Sequence, residues 1–181
     1  MPSYREMGTE NPFFKAWFGN SKVVDEAGEP FWELHGTRAD FDAYLGDKGN
    51  FFIPSPSYSY IQNSDKVYPA YLSLQTPLKT ENQYITETAN TFWDEVYPEL
   101  SAKEYDGIVY AYSKDIMKGA SGWGDDVPQL VAFSPTQIKS PFNCGTFNPD
   151  APNINRATPL AVGAGGLLAF AGIKKKIFRY A

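Results

Sequence analysis

The sequence predicts an α+β domain made of short strands and few helices. Three observations carry that reading. At least five separate stretches have the apolar patterning of strands, against two or three with helical spacing. Turn signals separate those stretches: "EAGE" with Gly28, the proline-rich turn after "KGNFFIP", the D-G turn before "IVYAYS" and the glycine-rich "GASGWGDD". The 181 residues are 43% hydrophobic and 20% charged, which is enough for one packed domain with a short appendage.

Residues 1–12 are polar and read as an N-terminal arm, leaving 13–155 as the domain and 156–181 as a tail. In "FFKAWF", Phe13, Phe14, Trp17 and Phe18 fit one helical face. "SKVVD" and "PFWELHG" flank the turn "EAGE", where Gly28 tolerates positive φ, so the pair reads as a hairpin. "FDAYL" is a weak segment. "KGNFFIP" is a strand entering a proline-rich turn, and "SPSYSYIQNS" is a short helix or an ordered loop. "VYPAYLSL" alternates as a half-buried strand does. Ile85, Phe92, Val96 and Leu100 have helical spacing, broken near Pro98. "DGIVYAYS" and "PQLVAFS" are strands around the glycine-rich loop "GASGWGDD", and "PTQIKSPFNCGTFNPDAPNIN" closes the domain. There is no internal repeat.

Composition narrows the chemistry. A net charge of −5 lacks the basic face that counterion release needs, so nucleic acid is not an expected partner. One cysteine, Cys144, and one histidine, His35, rule out an internal disulfide and any His- or Cys-rich metal cluster. The start "MPSYREMGTENPFF" has no apolar signal core. No G-x-S-x-G and no P-loop lysine motif is present, and "GAGG" at 163–166 lacks the strand–turn–helix context of a dinucleotide fingerprint. Glu95, Glu99 and Glu104 read as a solvated helix face. His35, in "WELHGT", follows a strand, where a lone histidine more often satisfies a structural hydrogen bond than performs chemistry.

The tail "PLAVGAGGLLAFAGI" carries no charge and meets "KKKIFRYA". As a helix its fifteen residues reach about 22 Å, short of a hydrocarbon core of roughly 30 Å, so a membrane-spanning helix is not expected. Its small residues suit packing on the domain, on another copy in a homo-oligomer or on a partner protein. Contact with a membrane surface is the lesser reading.

Four segments in order, "SKVVDEAGEPFWELHGT", "GNFFIPSPSYSY", "VYPAYLSLQTPL…YDGIVY" and "PQLVAFSPTQIKSPFNCGTFNPDAPNI", resemble the ADP-ribosyltransferase-like domain of phage and prophage proteins, within the superfamily of diphtheria toxin and the poly(ADP-ribose) polymerases. The resemblance covers roughly residues 13–155. It implies a split pair of β-sheets around a cleft that binds NAD, with His, Tyr and Glu on three strands. His35 matches the family His, which orients ribose hydroxyls; Gly36 would clamp the nicotinamide amide and Thr37 add a hydroxyl. Phe51 stands where the family has Tyr, and Ser59 matches a serine that bonds the nicotinamide amide. A second stacking Tyr is expected at Gln62, a place that Tyr60 or Tyr58 would fill if the loop is shortened. Gln129 stands where the family has its catalytic Glu, with Asp125 and Asp126 as candidate substitutes nearby.

Two function classes stay open on these residues. One is an NAD-dependent mono-ADP-ribosyltransferase, phage-encoded, acting on a host protein in the host cytoplasm. The other is a degenerate copy of the fold serving as a virion structural or internal protein among other virion proteins.

Overall fold

The computed structural model describes residues 8–44, 50–53, 64–80, 92–110, 129–143, 147–152 and 154. The tail, Cys144, Ser59, Tyr60, Tyr58, Gln62, Asp125 and Asp126 lie outside the described residues.

The expected α+β architecture is present as two small sheets and a few short helices. The strands are β1 (Trp32–Thr37), β2 (Asn50–Phe52), β3 (Lys66–Leu72), β4 (Leu78–Thr80), β5 (Gly107–Tyr110), β6 (Gln129–Ala132) and β7 (Ile138–Lys139). One sheet has the order β1-β3-β7 and the other β2-β6-β5-β4. All pairings are antiparallel except β4 with β5. The helices are α1 (Pro12–Phe18) and α2 (Tyr97–Ala102), the latter continuing a π-helical turn at Phe92–Val96.

Strand alternation explains how the sheets stack. Tyr68, Ala70 and Leu72 of β3 and Ile138 of β7 lie on one face, and Phe52, Leu130, Ala132 and Val109 on one face of the other sheet; together they form the main buried cluster. On the outer face of the four-stranded sheet, Ile108, Tyr110, Val131 and Phe133 pack against Leu100 of α2. A third cluster joins α1 to the closing segment: Phe14, Trp17, Phe18 and Phe147.

Hydrogen bonds tie the layers. Asn11 is fully buried and caps α1 by accepting from Phe13 N at 2.9 Å. Trp17 Nε1 donates to Thr136 O at 3.0 Å. Ser134 and Gln137 form a capping box around the 3₁₀ turn Pro135–Gln137. Gln137 Nε2 also donates to Asp106 O at 2.8 Å and to Ser73 O at 3.3 Å. The "SPTQ" motif is thus a staple between the end of β3 and the start of β5.

Several sequence expectations need correction. "SKVVD" forms no strand: the hairpin is reduced to one bridge, Val24–Pro30, around a turn with Gly28 at φ 80°. Phe13 is 48% exposed rather than part of the packed face of α1. β3 does not alternate, since Tyr68, Pro69 and Ala70 are all buried; its second face, which carries Tyr71, packs against Phe14 of α1. Near Pro98 the helix changes character, from the π-helical turn at Phe92–Val96 to α2, with Pro98 in the first turn of α2; Ile85 lies outside the described residues. Of the acidic helix face, Glu99 is paired with Lys103 at 2.6 Å across one exposed turn.

Candidate functional site

His35 stands on β1 where the two sheets meet. One residue earlier, Leu34 and Ile53 form a bridge between β1 and the end of β2, with N–O distances of 2.8 Å and 3.0 Å. That doubly bonded pair fixes the phase of β1. The main-chain groups of Leu34 and Gly36 face β2, and those of His35 face β3. Continued two residues, that register sets Gly36 opposite Phe51. The Phe51 carbonyl is also reached by the His35 side chain, with Nδ1 2.8 Å from Phe51 O. The imidazole thus sits at the junction of β1 and β2.

A carbonyl oxygen only accepts, so Nδ1 carries the proton and donates. Burial of the ring lowers the pKa of His35 below its usual value, and the bond to Phe51 offsets this only in part. The ring is therefore neutral at pH 7, and its Nε2 is an acceptor. Among the described residues no group bonds Nε2. Such an atom suits a ligand hydroxyl.

Rings surround the imidazole. Their centroids lie 5.1 Å away for Tyr44, 5.5 Å for Phe52 and 6.0 Å for Phe41. Tyr68, the cross-strand partner of His35, touches Phe41 at 4.7 Å. These residues were not singled out from the sequence; the signal available was the pair Phe41 and Tyr44 in "FDAYL", one short reach after "HGT".

The topology brings together three of the expected site strands. β2 pairs with β6, and one further step of that register sets Ile53 opposite Gln129. Leu34, Ile53 and Gln129 thus form one rung across β1, β2 and β6. Two interstrand steps separate His35's strand from that of Gln129, about 10 Å. Alternation distributes the side chains over both faces. Phe52 turns toward His35, whereas Phe51 packs against the outer cluster with Val131 and Ile108, on the face that Gln129 also takes. The main chain of Phe51, not its ring, is what meets His35. Gly36 is buried, with its main chain toward β2. Thr37 is half-buried, its Oγ1 accepting from Ala39 N at 3.0 Å.

Other features lie elsewhere. An open concavity of about 710 Å³ is lined by residues of 9–30, Phe14, Lys15 and Lys22 among them, and by none of β1, β2 or β6. Among the described residues no group of three His, Cys, Asp or Glu side chains is placed to hold a metal ion, and no helix is long and apolar enough to cross a membrane.

Comparison with the curated proteins and with the solved structures finds no match. A protein family does match, over residues 25–147, a span that runs from the hairpin turn through β1, β2 and β6 to the closing segment and takes in His35, Phe51 and Gln129. Its description is ADP-ribosyltransferase in polyvalent proteins, and with more than half of its length matched the chain belongs to that family.

Proposed function

We propose that the junction of β1 and β2 binds NAD and that the chain is an ADP-ribosyltransferase whose chemical step is weakened. The observation that supports this reading is the Nδ1–Phe51 O hydrogen bond. It leaves a neutral imidazole with Nε2 as an acceptor for a ribose hydroxyl. Gly36 follows on the same strand, with no Cβ to obstruct a flat amide. Thr37, Ser59 and Tyr60 complete the proposed binding set.

NAD supplies an activated ADP-ribosyl group, cleaved at the bond between ribose C1′ and the nicotinamide nitrogen. Positive charge grows on the ribose as that bond breaks, as in glycoside cleavage. The proposed role of Gln129 is to hold the ribose 2′-hydroxyl. Its amide can bond that hydroxyl but carries no charge to stabilise the cation. The loss of one such electrostatic group typically slows a reaction by about 10²- to 10³-fold. His35, as an orienting acceptor, does not take the proton. On this reading the acceptor of ADP-ribose is a host protein, and the setting is the host cytoplasm.

A second reading is favoured by Phe51 and Gln129 together: the fold is retained as a virion component, with the tail as its assembly contact. Calorimetry separates the two. NAD titrated into the wild-type protein is expected to bind, and His35→Ala to weaken binding by at least about tenfold, the worth of roughly 1.4 kcal/mol. A wild-type protein indifferent to millimolar NAD leaves only the second reading.

A further inference from the structure

We propose that the hydrogen bond between Asp40 and Tyr68 positions His35 for its ligand, acting through the aromatic cap that residues 38–44 fold over the imidazole; the inference rests on the NAD reading of this site. Asp40 is the anchor of the cap. Tyr68 Oη donates to Asp40 Oδ1 at 2.6 Å, and Lys66 Nζ lies 3.1 Å from Asp40 Oδ2. Lys66 and Tyr68 are two apart on β3 and so share a face. One carboxylate thus straddles that face directly opposite β1, where Tyr68 is the register partner of His35.

The residue after Asp40 transmits the anchor. The ring of Phe41 lies 4.7 Å from those of both Tyr68 and Tyr44. Tyr44 in turn meets His35 at 5.1 Å and Phe52 at 5.5 Å. The far end of the segment is held where Ile154 N donates to Asp42 O at 2.8 Å. With Asp40 released, Phe41 and Tyr44 lose their fixed place over the imidazole. Water then reaches the ring, and Nε2 no longer has one direction.

Among the described residues, the titratable and charged groups facing His35 are few. They are Tyr44 on the cap, Tyr68 on β3 with Asp40 and Lys66 at the rim, and Glu33, buried two residues away on the same face of β1. β2 contributes only Asn50, Phe51 and Phe52. The environment of the ring is therefore set mainly by the cap and by the Phe51 carbonyl.

His35 is the only histidine, so an imidazole ¹⁵N NMR titration of the full chain reads it without ambiguity. The wild-type ring is expected to carry its proton on Nδ1 and to titrate below the ordinary value of about 6.5. Tyr68→Phe keeps the ring and removes the hydroxyl; Asp40→Ala removes the exposed anchor. Both are expected to raise the midpoint toward about 6.5 and to mix the tautomers. Both should also weaken NAD binding about threefold to tenfold, the worth of one hydrogen bond. Asp40→Asn keeps an acceptor for Tyr68 and is expected to restore the wild-type titration. A merely structural contact would lower the melting temperature without moving the midpoint or the tautomer. Folded Tyr68→Phe and Asp40→Ala proteins that titrate as wild type would overturn the inference. A wild-type protein that binds no NAD, with the midpoint still moving in the variants, would instead overturn the NAD reading and leave the positioning of His35 standing.

Discussion

The imidazole of His35 donates from Nδ1 to the main-chain oxygen of Phe51 at 2.8 Å, at the junction of β1 and β2. A side chain here adds to the Leu34–Ile53 bridge in joining the two sheets. The same contact sets the ring's tautomer.

Acid should therefore weaken the fold through His35. Its folded pKa lies below the unfolded value of 6.5, because burial disfavours the charged ring. The folded state then binds fewer protons, so the contribution is in place above pH 6.5 and is lost as pH falls through the folded pKa. His35→Asn keeps a donor near Nδ1 and cannot titrate. Urea unfolding at pH 7 and pH 5 should show wild type losing more stability than His35→Asn over that interval. Equal losses would mean that the ring does not titrate differently on folding.

Gln137 should matter more than its half-exposed position suggests. It accepts from Ser134 N at 2.7 Å and donates to Asp106 O at 2.8 Å and Ser73 O at 3.3 Å. Gln137→Ala is expected to cost about 2–3 kcal/mol in urea unfolding, since the carbonyls lose their donor. Gln137→Glu keeps the acceptor but brings a carboxylate against two carbonyls, so it should not rescue the loss. A near-neutral Gln137→Glu would show that the donor bonds contribute nothing.

Gly107 should tolerate no side chain. A Cβ there would lie 2.6 Å from Val131 O and 2.8 Å from Leu74 Cδ2. The oxygen belongs to the neighbouring strand β6, so relief requires that β5 and β6 separate. Gly107→Ala is expected to cost about 2–3 kcal/mol by overpacking, against the usual gain from replacing a strand glycine. A melting temperature unchanged or raised in this variant would contradict the packing.

Lys139 is fully buried, and desolvation pulls its pKa down to about 8 from 10.5. Its Nζ donates to Ala151 O. The unfolded state binds more protons between those two values, so the penalty of burying the ammonium is complete below pH 8 and shrinks as pH rises toward 10.5. Lys139→Met is expected to narrow its stability difference from wild type in one direction: relative to wild type it should be more stable at pH 7 than at pH 9.5. A difference independent of pH would place the ammonium in water.

How much of this was legible in the sequence varied with the physics. β1, β2, β5 and β6 were legible because their apolar runs end at Gly, Pro or Asp. β4, at Leu78–Thr80, was not; three residues give no period, and the strand exists because β5 offers it an edge. The alternation expected of β3 failed because α1 packs on its second face, through Phe14 against Tyr71. For the site, the motif "HGT" marked His35, but nothing in one dimension indicates that its Nδ1 bonds the Phe51 carbonyl rather than the Phe51 ring. Nor does spacing reveal that Asp40 reaches Tyr68, 28 residues on. The division of Phe51 and Phe52 between two faces follows from alternation, yet which face meets His35 is fixed only by the Leu34–Ile53 bridge.

Two substitutions toward the family pattern should behave differently, and the packing around each position says why. Gln129 is half-buried at the start of β6, at the rung shared with Ile53 and Leu34. Gln129→Glu keeps the size of the side chain and adds the missing charge at a site that is not fully enclosed. It is expected to raise NAD hydrolysis by up to about 10²- to 10³-fold, the usual worth of one such group. Phe51→Tyr adds a hydroxyl to a ring packed against Ile108 and Val131, away from His35. That hydroxyl loses water inside the cluster and adds no charge, so the variant should cost about 1–2 kcal/mol in stability and bring no comparable gain in rate. The double variant should match Gln129→Glu alone in rate. Release of nicotinamide, followed by chromatography, measures all three. A Phe51→Tyr protein that gains more activity than Gln129→Glu would mean that the ring swings to the His35 side when ligand is bound. A Gln129→Glu protein that binds NAD with no gain in hydrolysis would place the catalytic acid elsewhere in the chain.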